Sequence, residues 1–353
     1  MPIMIFEIQG SEYMKFTAFA LAGSAALEEP SVIFRRMVEF AQEAELLGYD
    51  SVWFAEHHFS NYGYIPNPLL MATRVAAETS NIRVGTAVLV LPFWDPLRVA
   101  EDIAMTDQLT DGRLEIGVAR GYQPFEFRRF GLDQSESRER TNESLAIITK
   151  ALSGGTFEYH GKFHDIPETT IYPKPLQTPY PPIWLAASTQ DSFDISARYG
   201  LRALTTQSGR PISVLNESWD NFKRSRENYP EAPREFGVQA QVIVAPTDDQ
   251  ARDQMEHFLY QSRQATNLRH GREHIVSGVS EPLPYEGEPD LQEMFDNRTL
   301  SGTPPNVIEK LDRYQKTADI STLSAVLHGG RMSPKTVIES MRLLANEVIP
   351  AFR

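Results

Sequence analysis

Side chains that could perform acid–base catalysis or bind an anion follow three short apolar runs of the sequence. They lie in the segments EHHF (56–59), RGY (120–122) and AST (187–189), and Arg138 follows the second of these. A histidine can gain or lose a proton near neutral pH, whereas arginine and hydroxyl groups bind phosphate. The pattern therefore indicates two kinds of chemistry, and both require that these segments meet in space.

The adjacent histidines, His57 and His58, do not suit a shared metal ion. Successive residues at a strand end point to opposite sides of the sheet, and no H-E-x-x-H segment or spaced set of His, Asp and Glu completes a site. One of the two histidines can face a cleft and act as an acid, a base or a hydrogen-bond donor. A purely structural histidine is equally compatible with the sequence. We predict no metal site.

A phosphate group could be bound by Arg120, Arg138 and the hydroxyl groups of Ser188 and Thr189. The two hydroxyl residues precede a predicted helix, whose first N–H groups favour anions. No G-x-G-x-x-G segment follows a strand, and the run at 155–163 has the wrong spacing for a P-loop. The alternative is that both arginines form surface ion pairs in an acidic protein.

The elements that must position these residues follow a regular alternation of β-rich runs and amphipathic segments. Asn67-Pro68 and Asp95-Pro96 each place a capping residue before a proline at a helix start. The predicted strands are 15–21, 51–55, 82–91, 113–119, 183–187, 202–206, 236–244 and 322–327. The predicted helices are 31–47, 68–79, 97–109, 136–152, 191–199, 214–228, 248–268, 303–317 and 333–348. Eight such units predict a (β/α)8 TIM barrel, in which the carboxyl ends of the strands carry the site. A doubly wound open sheet is the alternative.

Several segments depart from this alternation. Residues 1–13 form an N-terminal extension, and residues 14–353 form one barrel domain. We expect a loop at 121–135 and a hairpin at 157–164. Residues 270–301, before the eighth strand, are polar and proline-containing without a clear period, which indicates an insertion.

The composition excludes several classes of protein. The 353 residues include 34 basic and 47 acidic side chains, a formal net charge of −13, and no cysteine. This charge argues against nucleic-acid binding, and the absence of cysteine excludes disulfides, thiolate metal sites and cysteine nucleophiles. The longest apolar run is too short to span a membrane, and the N-terminus lacks the features of a signal peptide. We therefore expect a cytoplasmic protein.

The segments around the candidate residues resemble those of a known family. SVWFAEHHFSNYGYIPNP (51–68), VGTAVLVLP (84–92) and DGRLEIGVARGYQPFEFRRFG (111–131) match motifs of the luciferase-like flavin-dependent monooxygenases, particularly the bacterial luciferase α subunit. The start at 14–16 and the tail at 302–304 and 341–350 also match. The resemblance covers nearly the whole chain, and its specificity comes from the combination of segments.

The resemblance implies roles for individual residues. His57 corresponds to the family's catalytic histidine, and Arg120, Arg138 and Ser188, with Thr189 beside it, correspond to the site of the FMN phosphate. Ala87-Val88 corresponds to a non-prolyl cis peptide against the flavin ring, and 270–301 to a mobile lid. Two positions depart from bacterial luciferase, because Ala119 replaces a reactive cysteine near the flavin and Ala187 replaces a glutamate beside the phosphate.

The activity that the resemblance implies is oxygenation by reduced FMN and O2 through a flavin hydroperoxide. The expected substrate is a small apolar organic molecule such as an aldehyde or ketone, and a separate flavin reductase is expected to supply the reduced flavin. The helices at 68–79 and 97–109 are apolar on more than one face, which predicts a homodimer. Candidate pocket residues are Phe59, Tyr62, Tyr122, Phe127 and Gln207, with Val88 and Leu89 as further apolar lining.

Three alternatives remain open from the sequence. The chain could be a deazaflavin-dependent reductase or dehydrogenase on the same barrel. It could also be a non-catalytic flavin-binding subunit, although the presence of His57 argues against this. A sugar-phosphate enzyme on the same fold is the third.

Overall fold

A computed structural model describes residues 13–25 and 27–353, so all of the predicted extension except Tyr13 lies outside the described residues. The strands are β1 (Lys15–Ala20), β2 (Ser51–Phe54), β3 (Arg83–Val90), β4 (Leu114–Ala119), β5 (Phe157–His160), β6 (Asp165–Thr169), β7 (Ile183–Ala186), β8 (Arg202–Thr206), β9 (Phe236–Val244), β10 (Ile275–Val276), β11 (Val279–Ser280), β12 (Leu300–Gly302) and β13 (Thr322–Val326). The α-helices are α1 (Pro30–Leu46), α2 (Pro68–Ala76), α3 (Pro96–Leu109), α4 (Pro124–Phe130), α5 (Ser137–Leu152), α6 (Gln190–Arg198), α7 (Ile212–Asn228), α8 (Asp248–Arg252), α9 (Met255–Arg269), α10 (Leu291–Glu293), α11 (Pro304–Thr317) and α12 (Pro334–Leu343).

Eight parallel strands close into a barrel in the order β1-β2-β3-β4-β7-β8-β9-β13. The closing pair is β13 with β1, where Lys15 lies beside Thr322. This closure confirms the predicted (β/α)8 barrel and excludes the open sheet, in which two strands would be edges. Because all eight strands run in one direction, their carboxyl ends meet at one mouth.

The predicted capping residues start the helices α2 and α3. The Asn67 side chain accepts hydrogen bonds from the Leu69 and Leu70 N–H groups, and Asp95 Oδ1 accepts one from Arg98 N–H at 2.9 Å. Each side chain satisfies N–H groups that have no partner within the helix. The pairs Asn67-Pro68 and Asp95-Pro96, which are visible in the sequence, therefore define where the two helices begin.

Two tryptophans fill the barrel interior below the mouth. Trp53 and Trp184 pack with ring centroids 5.6 Å apart, and Trp53 Nε1 donates to Glu115 Oε2 at 2.9 Å. Gly85 makes room for Trp53, because a Cβ atom at this position would lie 2.8 Å from the Trp53 ring. The two rings therefore occupy the barrel interior, and both side chains are buried.

The structure corrects several predicted boundaries. The segment 121–135 is not only a loop, since it contains α4, and the hairpin extends to Thr169 as β5 and β6. The helix predicted at 248–268 is divided into α8 and α9. A helix of seven residues is too short to show a clear period, which explains why α4 was missed. Within 270–301, β10 and β11 form a small antiparallel hairpin.

Candidate functional site

A cavity of about 500 Å³ opens at the carboxyl ends of the barrel strands. This volume lies within the roughly 300–1,000 Å³ typical of small-molecule sites. The sequence-predicted site residues that line it are His57, Tyr62, Ala87, Val88, Ala119, Arg120, Tyr122, Arg138, Ala187, Ser188 and Thr189. The fold thus brings segments far apart in the sequence to one chamber.

Four other predicted pocket residues lie outside the lining. Phe59 is 46% exposed and packs against Phe130 on the outer surface. Phe127 and Leu89 are fully buried in the packing around the barrel. Gln207 is also buried, and its amide donates to the carbonyls of Arg210 and Pro211. Leu89, Phe127 and Gln207 are next to lining residues in the sequence, and Phe59 is two positions from His57, but none of the four lines the cavity.

The two adjacent histidines separate as the strand alternation predicts. His57 lines the cavity, whereas His58 lies outside it and its Nε2 contacts Glu56 Oε1 at 2.9 Å. Burial raises the pKa of Glu56, which also accepts hydrogen bonds from Val90 N–H and from Trp94 Nε1. His58 and Glu56 therefore belong to a structural network that holds the end of β3 against β2.

The His57 ring is fixed by residues that follow β4. Its Nδ1 atom lies 3.1 Å from Gln123 Nε2 and 3.4 Å from Glu126 Oε1. The ring also contacts Tyr62 edge-on, with centroids 4.6 Å apart. No hydrogen bond to His57 Nε2 is formed within the part of the chain that the structure describes. The amide nitrogen of Gln123 donates and a carboxylate oxygen of Glu126 accepts, so these two contacts to Nδ1 favour opposite tautomers of the ring.

Glu126 and Gln123 are site residues that the sequence analysis missed. Glu126 is 2% exposed, lies on α4 and accepts the His58 backbone N–H at 2.9 Å through the same Oε1 atom that contacts His57. Both residues fall within the segment predicted as a loop. The available signal was an acid flanked by two phenylalanines, because a charged residue buried among apolar neighbours usually has a partner.

Two tyrosine hydroxyl groups form the wall beside His57. Tyr122 donates to Tyr62 at 3.2 Å, and Gln123 Nε2 donates to the Tyr122 hydroxyl at 3.1 Å. Burial raises the pKa of both tyrosines, so both are neutral at pH 7. They can donate or accept hydrogen bonds but do not add negative charge.

The anion-binding residues meet at the ends of β4 and β7. Arg120 is exposed and forms no ion pair or hydrogen bond with any residue that the structure describes. Arg138 pairs with Asp191 at 3.0 Å, with both side chains about half exposed. Thr189 caps α6, and the N–H groups of Ser188 and Thr189 both donate to Ser192 Oγ at 3.0 Å. This end can accept a phosphate on Arg120 and the start of α6.

The peptide bond between Ala87 and Val88 is cis, as the family resemblance implies. Both residues line the cavity, and Val88 O accepts the Glu56 N–H at 3.3 Å. The neighbouring strand ends contribute small side chains at Ala55, Ala119 and Ala186. Small residues on several strands leave room for a flat ring system between His57 and the anion-binding end.

A second pair of arginines, Arg210 and Arg269, also lines the cavity, and the sequence analysis did not identify it. Arg210 lies between β8 and α7, and Arg269 ends α9. Neither residue is adjacent to a recognisable motif, which explains the omission.

Residues 13–25 and 27–353 contain no group of three or more His, Asp or Glu side chains arranged to hold a metal ion. None of the helices in these ranges has the length and apolar character needed to cross a membrane.

Comparison with known proteins gives matches over most of the chain. A model of the family described as luciferase-like monooxygenase matches residues 14–319. The oxygenase component of flavin-dependent trigonelline monooxygenase from Acinetobacter baylyi is 30% identical over 327 residues, 91% of this chain and 90% of that protein. The alkanal monooxygenase alpha chain of Photorhabdus laumondii is 30% identical over 227 residues, 64% of this chain and 60% of that protein.

A solved structure shares the fold. The oxygenating constituent of 3,6-diketocamphane monooxygenase from Pseudomonas putida, in complex with FMN, superposes with a TM-score of 0.80. The alignment covers 97% of this chain and 99% of that chain at 21% identity.

Proposed function

The chain belongs to the luciferase-like monooxygenase family, a family of flavin-dependent enzymes, and we propose that it oxygenates a small organic substrate with reduced FMN and O2. The observation that carries this proposal is one cavity that joins His57, the cis peptide and the unpaired Arg120. These features match the three needs of a flavin oxygenase: a proton-handling group, a surface for the ring and a phosphate anchor.

The residues of the cavity fit FMN. The phosphate would be held by Arg120, Ser188 and Thr189, because Arg120 has no competing partner among the described residues. Arg138 would contribute a second positive charge, reduced by the nearby Asp191 carboxylate. The flavin ring would lie on Ala87 and Val88. Neither departure from bacterial luciferase removes this fit, since Ala119 and Ala187 add space and leave both arginines in place.

Reduced FMN supplies, when bound, the electrons with which dioxygen is activated. His57 would hold or transfer a proton at Nε2, the ring nitrogen without a protein hydrogen bond within the described residues. Gln123 and Glu126 contact Nδ1 and so keep the ring in one orientation. This arrangement suits a general acid or base.

Water must be kept from the reacting atoms, because it diverts activated oxygen to hydrogen peroxide. Apolar side chains at the bottom of the cavity serve this purpose, including Leu21, Val88 and Val326. The insertion at 270–301 would act as a lid. Supporting this, Tyr285 lines the cavity, and the β10–β11 hairpin is joined to Asn61 by hydrogen bonds of 2.7 and 2.8 Å.

The partners follow from the same proposal. The trigonelline monooxygenase relative is named as an oxygenase component, which supports a separate reductase that supplies reduced flavin to this chain. A homodimer through α2 and α3 is supported by the exposure of Leu70 (69%) and Met105 (52%) on these helices. Exposed apolar side chains on neighbouring helices are typical of a protein contact.

Flavin binding and oxygen use provide the test. The protein would be titrated without oxygen with reduced FMN, reduced riboflavin and a reduced deazaflavin, and oxygen uptake and peroxide release would then be followed. We expect FMN to bind more tightly than riboflavin and to consume oxygen. Preference for the deazaflavin without oxygen uptake would support the reductase alternative instead. Tight FMN binding without oxygen uptake, whichever substrate is added, would indicate a non-catalytic flavin-binding subunit.

A further inference from the structure

Arg210 and Arg269 are cations at the cavity without an anionic partner. Neither guanidinium group forms an ion pair or a hydrogen bond with any residue in 13–25 or 27–353. Arg269 lies over the ring of Tyr122, with its guanidinium carbon 4.7 Å from the ring centroid. Arg210 is partly buried, whereas Arg269 is exposed. A partly buried positive charge without a counter-charge, such as that of Arg210, is unfavourable, so a ligand anion would be stabilised there.

The acidic side chains of the cavity are engaged elsewhere. Glu56 accepts hydrogen bonds from Val90 and Trp94, Glu126 accepts the His58 N–H, and Asp191 pairs with Arg138. None of these carboxylates contacts Arg210 or Arg269. The two arginines therefore form a locally positive surface in a protein whose net charge is −13.

This pair is distinct from the cationic end assigned to the FMN phosphate. Burial and the positive charge of Arg269 both lower the pKa of Arg210, so these two arginines act on each other. Tyr122, under Arg269, has its ring centroid 6.0 Å from that of His57. Arg269 thus contacts the tyrosine beside His57. The pair comes from the β8–α7 connection and from α9, whereas Arg120 follows β4 and Arg138 lies in α5.

The wall around the pair is polar. Ser208 and Gln241 line the cavity, and Ser208 Oγ and Gln241 Oε1 are buried without a hydrogen-bond partner in the described chain. A serine hydroxyl can donate to an anion. Tyr122 and Tyr285, also in the lining, are aromatic side chains beside which a ring could pack.

We infer that Arg210 and Arg269 form a subsite for a carboxylate on the substrate, and that the enzyme acts on a small aromatic carboxylate. This inference rests on the proposed function and deepens it, since it replaces the apolar substrate expected from the sequence. An arginine can bind both oxygens of a carboxylate through two parallel N–H bonds. Held in this way, the ring of the substrate would lie beside Tyr122 and His57.

Matched carboxylates and amides test the subsite. Benzoate and nicotinate, and their uncharged analogues benzamide and nicotinamide, would be titrated calorimetrically into protein with and without FMN. We expect the carboxylates to bind at least about 10-fold more tightly than the amides, as charge-assisted hydrogen bonds imply. Equal affinity for the carboxylates and the amides, or no binding of either, would overturn the inference without any variant being needed.

Variants assign the effect to the two arginines. Arg210→Gln and Arg269→Gln should each weaken carboxylate binding about 10-fold or more and leave amide binding unchanged. Arg272→Gln is the matched control, because Arg272 is an exposed arginine near Arg269 that does not line the cavity. Arg272→Gln should change neither carboxylate binding nor amide binding. A loss of FMN affinity without a loss of riboflavin affinity in the two test variants would assign the pair to the cofactor phosphate and overturn the inference.

These experiments distinguish a failure of the proposed function from a failure of the proposed carboxylate subsite. Carboxylate binding by the flavin-free protein, with no binding of FMN, would contradict the proposed function and leave the subsite standing. FMN-dependent oxygen uptake with no preference for carboxylates would contradict the subsite and leave the proposed function standing.

Discussion

The Oε1 atom of Glu126 lies 3.4 Å from His57 Nδ1 and also accepts the backbone N–H of His58 at 2.9 Å. One buried oxygen atom thus contacts both histidines of the strand-end pair. Glu126 is supplied by α4, whereas the histidines follow β2. The orientation of His57 therefore depends on how α4 packs across the end of the barrel.

Replacing Glu126 should lower the free energy of unfolding and should also disturb the orientation of His57. Glu126→Ala leaves the His58 N–H buried without an acceptor and should lower the free energy of unfolding by about 1–3 kcal/mol. Glu126→Gln keeps an oxygen acceptor and should cost less, while still altering the ratio of oxygenated product to peroxide. Urea denaturation measures the first effect and product analysis the second. Equal losses of unfolding free energy in Glu126→Ala and Glu126→Gln would show that an oxygen acceptor for the His58 N–H does not stabilise the fold.

Removing the His57 ring should reduce catalysis more than flavin binding. We expect His57→Ala to lower the turnover rate by roughly 10²–10⁴-fold, the usual contribution of a general acid or base. The FMN dissociation constant should change little, because the proposed phosphate contacts lie at the other end of the cavity. His58→Gln is the control, since His58 lies outside the cavity. Unchanged turnover in His57→Ala would show that this residue does not handle the proton.

The phosphate assignment predicts opposite effects for a basic and an acidic residue. Arg120→Ala should weaken FMN about 10- to 100-fold and leave riboflavin unaffected, because only FMN carries the phosphate. Asp191→Asn should tighten FMN, since it removes the negative charge beside Arg138. Fluorescence titrations with both flavins measure these changes. Parallel losses for FMN and riboflavin in Arg120→Ala would place the phosphate elsewhere.

Stability should depend on pH through His328. Burial, with the positive charges of His257 and Arg36, lowers the pKa of His328 to about 4 from its ordinary value near 6.5, against a smaller opposing effect of Glu28. Between pH 4 and pH 6.5, His328 binds a proton in the unfolded chain but not in the folded chain. Its contribution to the free energy of unfolding is therefore fully present above pH 6.5 and is lost as the pH falls towards 4.

Replacing His328 tests this linkage. The wild-type protein should lose more of its unfolding free energy between pH 7 and pH 5 than His328→Gln loses. Carboxylates titrate in both proteins, so the difference between the two curves isolates the histidine. Urea denaturation at the two pH values measures it, and coincident pH dependence would show that His328 is not responsible.

The proposed homodimer predicts a change of mass on surface substitution. Leu70→Glu and Met105→Glu place charges on the exposed apolar positions of α2 and α3 and should convert a dimer to a monomer in light scattering. Leu46→Glu is a control, because Leu46 is 82% exposed but ends α1. A monomeric wild-type protein would contradict the proposal directly.

The barrel and part of its site were predictable from the sequence because their signals are local. Alternating strand and helix periods, and caps such as Asn67-Pro68, report the conformation of neighbouring residues. The alternation of side chains along a strand also indicates that only one of His57 and His58 faces the mouth. Arg120 and Ser188 follow strands, so closure of the barrel brings them to one end, where Arg138 at the start of α5 joins them.

The alternation along the strand left open which histidine faces the cavity, and the family resemblance pointed to His57. Only the tertiary structure shows that His57 lines the cavity and which other residues do. Phe127 and Gln207 are next to lining residues in the sequence and Phe59 is two positions from His57, yet none of them lines the cavity. Arg210 and Arg269 join the site without any motif. Glu126 contacts His57 although the two residues are 69 positions apart in the chain. The physical reason is that sequence periodicity specifies the faces of each element, whereas the contacts between faces depend on how the barrel closes and how α4 and α9 pack over its mouth.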